Sequence, residues 1–233
     1  MLRAEQARSR AKNLPIYLKL QFITDYYTLL AMLDTIALLV LVLWPIIPLW
    51  WIPVHGANKI VRKMGFFVCP VIGILWVTIA YIIYTNRVFF LGFNIDFFIL
   101  IRAGGILCAG AGVFLQLWTL RVLNFLVITG APEIFDGVKA KLSVHGPFSY
   151  IRHPTYLSHT MFFLGVFLIT GNLAIGLVAL IDFLTMNFIV IPLEEKELLQ
   201  RFGIEYKSYG PCSPFYSAIE QITIVCRKTI SQY

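Results

Sequence analysis

Three of the chain's four histidines, His145, His153 and His159, fall in one short stretch, HGPFSYIRHPTYLSHT. Histidine changes charge near neutral pH, so such a cluster is a natural place for proton transfer or ligand binding. Arg152 and His153 stand together just before Pro154. Proline pushes the residue before it toward an extended backbone and suits the first turn of a helix, so a helix is expected to open near Thr155. Arg152 would then offer a planar fork to a carboxylate or phosphate at the helix entrance. His153 would hydrogen-bond a ligand or act as an acid or base beside it. A plainer reading weighs equally: Arg and His snorkelling to lipid headgroups beside Tyr150 and Tyr156. A histidine-held metal is disfavoured, because no acidic residue lies at suitable spacing within the block.

A second polar block begins at Glu194-Glu195 and runs EEKELLQRFGIEYKSY. Helical spacing puts Glu194, Leu198 and Arg201 on one face, and Glu195, Leu199, Phe202 and Tyr206 on another. Carboxylates here suit ribose hydroxyls or a cationic substrate. Two glutamates at a helix start are also ordinary complements to the helix dipole. Gly203 either ends this helix or admits a close neighbour.

The elements that must position these residues are set by composition. Of 233 residues, 59% are hydrophobic and 13% charged. Soluble domains carry about 25% charged residues, so this chain has too little polar surface to wrap a core in water. The formal charge of +7 comes from basic residues in terminal and connecting segments. That placement points to anionic headgroups and topology control, and no basic-aromatic pattern supports nucleic acid. The basic start, residues 1–20, reads as an amphipathic arm and not a cleaved signal.

Apolar stretches are expected to cross a membrane at Thr28–Leu49, Phe66–Thr85 and Phe97–Trp118, each near the ~20 residues required. Pro45 or Pro48 could break the first, and Pro70 could kink the second. The third contains GGILCAGAG, small residues that allow close helix approach in lipid. A fourth region, Thr160–Leu193, is too long for one crossing, and Gly171-Asn172 within it reads as a tight turn. The expected fold is therefore all-α and polytopic, with about five transmembrane helices, or four if the last region tilts or re-enters. It ends in a C-terminal hairpin flanked by cytosolic segments that form a cofactor site. Residues 1–96 would hold the arm and first two membrane segments, and residues 97–233 the catalytic region. Cys69 and Cys108 read as small core residues. Cys212 and Cys226 would pair only in an oxidising compartment.

GPFSYIRHPTYLS followed by EEKELLQRFGIEYKSY resembles the isoprenylcysteine carboxyl methyltransferase family and its wider membrane methyltransferase relatives. Arg152, His153, Pro154 and Tyr156 match the first motif of that family. Glu194, Glu195, Leu198, Phe202, Gly203, Tyr206 and Tyr209 match the second. The chain departs from the pattern at Phe148, Ser158 and Ala140. The resemblance implies S-adenosylmethionine in a non-Rossmann pocket and a methyl acceptor that arrives from the membrane. It assigns Gly146, Tyr150, His153, Pro154, Tyr156, Leu157, Glu194 and Glu195 to the cofactor. It places Arg201 near an anionic acceptor, with Arg152 as a second orienting cation and Glu195 at the reaction centre. Glu195 or His153 would serve as base if the acceptor were an amine. The leading acceptor on this resemblance is an isoprenylcysteine carboxylate. A phospholipid or a small thiol is the alternative. A nicotinamide-dependent sterol-type reductase and a non-catalytic membrane scaffold are the rivals from other classes.

Overall fold

The computed structural model describes residues 16–135 and 141–209. The arm before residue 16, Lys139, Ala140 and the pair Cys212 and Cys226 lie outside the described residues. Helices follow in the order α1 (Ile16–Leu43), α2 (Ile46–Gly56), α3 (Asn58–Met64), α4 (Val68–Thr85) and α5 (Arg87–Leu91). Then come α6 (Ile99–Val122), α7 (Phe125–Ile128), α8 (Ala131–Ile134), α9 (Pro154–Thr170), α10 (Leu173–Thr185), α11 (Ile191–Phe202) and α12 (Ile204–Tyr209). Among the described residues the only strand-like pairing is one bridge between Asn94 and Asn172.

This is an all-α polytopic membrane protein. By length and composition four helical stretches can cross a bilayer: Ile23–Gly56, Asn58–Thr85, Ile99–Val122 and Leu173–Phe202. The first arm of the expected hairpin, α9, has 17 residues, or roughly 25 Å of helix at 1.5 Å per residue, against a ~30 Å hydrocarbon core. In lipid every backbone polar group must be satisfied within the protein, and helices do this locally. Hydroxyls follow the same rule: Thr24, Thr28, Thr35 and Thr78 each donate to the carbonyl four residues back.

Prolines set the helix boundaries in the first half. α1 stops at Leu43, and the chain turns at Trp44-Pro45 before α2 begins. Pro70 does not kink α4. The helix starts at Val68, which leaves Pro70 in the first turn, where its missing N–H has no helical partner to lose. Cys69, expected in the core, is exposed; Cys108 is half-buried and its thiol donates to Met161 O at 3.3 Å.

The small-residue run of α6 has a packing role at three positions. A Cβ on Gly112 would stand 2.7 Å from Ser158 O, and one on Gly105 would stand 2.9 Å from Gly165 O. Gly165 on α9 answers them, since its own Cβ would press on Ala109. The backbones of α6 and α9 therefore meet along Gly105, Ala109, Gly112 and Gly165. Gly104 and Gly110 have nothing within 4 Å and take no part in that contact.

Gly171 turns the chain with φ +68°. The next residue, Asn172, caps α10 by accepting from the backbone N–H groups of Ala174 and Ile175. Its amide also donates to Phe90 O, which ties this turn to α5. Between α10 and α11 lies one π-helical stretch, Met186–Val190. Its wider turn slows the rotation of the helix. Asp182, Met186 and Val190, spaced four apart, are thus all 0% exposed, and Glu194 comes next on the same side. Gly203, φ +56°, ends α11 with open space around it.

Candidate functional site

α9 begins at Pro154 with His153 as its cap residue, so Arg152 and His153 are held at the helix entrance. α11 runs past this entrance and brings its first turn alongside. His153 Nε2 donates to Glu195 Oε1 at 2.6 Å, and His153 Nδ1 stands 3.2 Å from Glu194 Oε2. With a carboxylate at each nitrogen, the ring holds both protons. Burial alone would lower the His153 pKa, but the negative charges of Glu194 and Glu195 outweigh it and raise the value from 6.5 to about 9. His153 is therefore a cation and a donor at neutral pH. A free ring nitrogen for accepting a proton, as the base role would need, is not present in that state.

Glu195 is enclosed by partners. Its Oε2 is 3.0 Å from Arg152 Nη2, and its Oε1 also accepts from the Tyr206 hydroxyl at 2.7 Å. The Arg152 guanidinium lies 4.6 Å over the Tyr206 ring, a cation–π contact that fixes the fork. Burial first, and then the charge of Glu195, push the Tyr206 phenol up, so it remains a donor. Arg152 and His153 are nearly buried, with side chains 7% and 9% exposed. Such a network is costly to break, because removing one member leaves the others charged and unpaired.

A cleft, open on one side, lies beside this network. Its lining includes Arg152, His153, Pro154, Tyr156, Glu194 and Arg201 from the motifs, with Leu123, Val127, Ile128, Phe148 and Lys141 also contributing. Gly146, Tyr150, Leu157 and Glu195 are not among the lining residues. Gly146 supports the cleft from behind: it has φ +63°, and a Cβ there would stand 2.7 Å from Val122 Cγ2. Tyr150 is 60% exposed. Glu194 is the acidic residue of the lining, and its Oε2 is buried without a hydrogen bond of good geometry.

Trp51, His55 and Glu197 are among the contributors absent from the motif reading. Trp51 and His55, on α2, line the cleft together with the motif residues. Their rings stack at 5.3 Å and 5°, and Trp51 meets Tyr156 edge-on at 6.2 Å. Glu197 accepts from Asn58 and Arg201 and pairs with His55. One signal in the sequence points to the first pair. Trp51 and His55 are four apart within WWIPVHG, so a helix there must put both on one face.

His145 has no place in the lining, and His159 sits deeper on α9 between Tyr156 and Phe163. Of the three clustered histidines, one meets the cleft. No group of three or more His, Cys, Asp or Glu suited to a metal occurs among the described residues.

No curated protein and no solved structure matches the chain significantly. Residues 100–204, a little under half of the chain, match the family model described as PEMT, phospholipid methyltransferase. The matched segment holds α6, α9 and α11, and so Arg152, His153, Glu194, Glu195 and Glu197. The similarity is to a membrane methyltransferase family that depends on S-adenosylmethionine, without singling out isoprenylcysteine carboxyl methyltransferases.

Proposed function

We propose that this protein transfers the methyl group of S-adenosylmethionine to the amine of a phospholipid headgroup. The observation that carries the reading is the cleft itself. It lies largely within the segment that resembles phospholipid methyltransferases, and it sets one carboxylate, Glu194, among basic and aromatic side chains. The phospholipid reading takes precedence over the isoprenylcysteine carboxylate, because the family similarity favours it.

The residues present suit the cofactor. Bound there, S-adenosylmethionine would supply an electrophilic methyl group on a sulfonium. The buried Glu194 Oε2 complements a positive charge, and the Tyr156 and Trp51 rings add aromatic faces to the same cleft. Leu123, Val127, Ile128 and Phe148 offer an apolar wall for a base ring. Arg152 and His153 would act on the cofactor's surroundings mainly by fixing Glu194 and Glu195.

Methyl transfer demands alignment and exclusion of water more than acid–base help. An ammonium has no lone pair, so the acceptor would attack as the neutral amine, its new N–C bond replacing the methyl–sulfur bond of the cofactor, and the methylated ammonium would give its surplus proton to water at the open side of the cleft. His153 cannot take that proton at neutral pH, since its raised pKa keeps it charged. Both oxygens of Glu195 already serve Arg152, His153 and Tyr206. These residues therefore position the reaction and do not act as its base.

The test is a label experiment. Purified protein is incubated with methyl-labelled cofactor and either phosphatidylethanolamine vesicles or a prenylcysteine. Label in the phospholipid fraction is expected. Label on the prenylcysteine alone would restore the carboxylate reading, and no label in either would remove the methyltransferase assignment.

A further inference from the structure

The three carboxylates near the start of α11 face three ways. Glu194 lines the cleft, Glu195 is taken up by Arg152, His153 and Tyr206, and Glu197 reaches toward the N-terminal helices. Glu197 Oε2 lies 2.8 Å from His55 Nδ1. Its Oε1 accepts from Asn58 Nδ2 at 3.1 Å and from Arg201 Nη2 at 2.7 Å. A carboxylate only accepts, so Nδ1 is a protonated nitrogen of His55. The His55 side chain is 3% exposed and stacks flat on Trp51.

Glu197 itself does not line the cleft, but Arg201, His55 and Trp51 do. One carboxylate thus holds residues from two elements, α2 and α11, as a single wall. Helices α2 and α3 lie outside the segment that matches the family model.

The charge around the cleft says what this wall would receive. The lining carries Lys141, Arg152, His153 and Arg201 against one acidic residue, Glu194. Arg152 and His153 are bound to Glu195. Arg201 is held by Glu197 instead, and a guanidinium fork matches the geometry of a phosphate. Lys141 adds a second positive charge to the same lining.

We propose that Glu197 is a positioning residue for the acceptor: it fixes Arg201 and the Trp51–His55 pair as the wall that receives the acceptor's headgroup phosphate. This rests on the phospholipid reading for the identity of the acceptor. Without the Glu197 charge the long Arg201 side chain loses its anchor and regains rotamer freedom, and His55 loses the acceptor that orients its ring.

The experiment reads binding, so that it does not depend on turnover. The full chain in detergent is titrated by calorimetry with dihexanoyl phosphatidic acid, and separately with dihexanoylglycerol, which differs from it only by the phosphate. The wild type is expected to prefer the phospholipid by about tenfold, the size of one charge-assisted contact. Glu197→Gln should bring that preference close to one, with cofactor affinity kept within about twofold. Glu197→Asp should restore part of it. Should Glu197→Gln not fold, His55→Gln must lower the same preference. Where both fold, their combined effect must fall short of the sum, because the two share one interaction.

A wild type without phosphate preference would overturn the proposal. So would a Glu197→Gln protein that keeps the preference, or one that loses cofactor affinity in equal proportion. Absence of label transfer in the wild type would count against the methyltransferase reading alone, since the phosphate preference is measured without it.

Discussion

Glu195 Oε1 lies 2.6 Å from His153 Nε2, although forty-two residues of chain separate the two. That contact joins the entrance of α9 to the first turns of α11. It makes one site from two motifs that are unremarkable apart. Arg152 and Tyr206 complete it, and the cleft opens on the Glu194 side.

Replacing Glu195 with Gln should destabilise the protein by about 3 kcal/mol, since Arg152 and His153 would be left charged and nearly buried. Thermal unfolding in detergent measures this. An unchanged midpoint would mean the carboxylate does not bear on the fold.

Stability should fall as pH rises through the His153 titration. The folded pKa, about 9, lies above the unfolded value of 6.5. The ion pairs with Glu194 and Glu195 thus contribute fully below pH 6.5 and are lost as pH passes about 9. The thermal midpoint of the wild type should drop between these two values. His153→Gln should flatten that part of the profile.

Gly112→Ala should destabilise the packing of α6 on α9 by about 1–3 kcal/mol, because the added Cβ meets backbone that cannot yield. Gly104→Ala, with open space around it, should be neutral or stabilising by up to about 1 kcal/mol. Equal midpoints for the two variants would contradict the close approach.

Much of this arrangement is legible in the sequence, and the reasons are specific. Pro154 announces the helix entrance, Gly171-Asn172 the turn, and Gly203 the end of α11, because each acts through its own backbone. The motif residues Arg152, His153, Glu194 and Glu195 do meet. Helical periodicity alone does not separate Glu194, in the cleft, from Glu195, behind it. Their difference comes from Arg152 and Tyr206, which claim the second carboxylate. Trp51, His55 and Glu197 are harder to see. Their role comes from a contact spanning 142 residues, and nothing local marks Glu197 apart from its neighbours. Tyr150 and Leu157, which the resemblance assigns to the cofactor, do not line the cleft: Tyr150 precedes α9 and is exposed, and α9 presents only Pro154, Thr155 and Tyr156 from its first turn.

Whether the cleft beside Glu194 holds S-adenosylmethionine decides between the methyltransferase reading and its rivals. Isothermal calorimetry of the cofactor against wild type and Glu194→Gln measures this without any acceptor. One site is expected in the wild type, with affinity at least about tenfold weaker in the variant, the size of a lost charge-assisted contact, and with a smaller drop in thermal midpoint than Glu195→Gln shows, because His153 keeps Glu195. Equal affinity in the two proteins, or no binding by the wild type, would contradict the assignment.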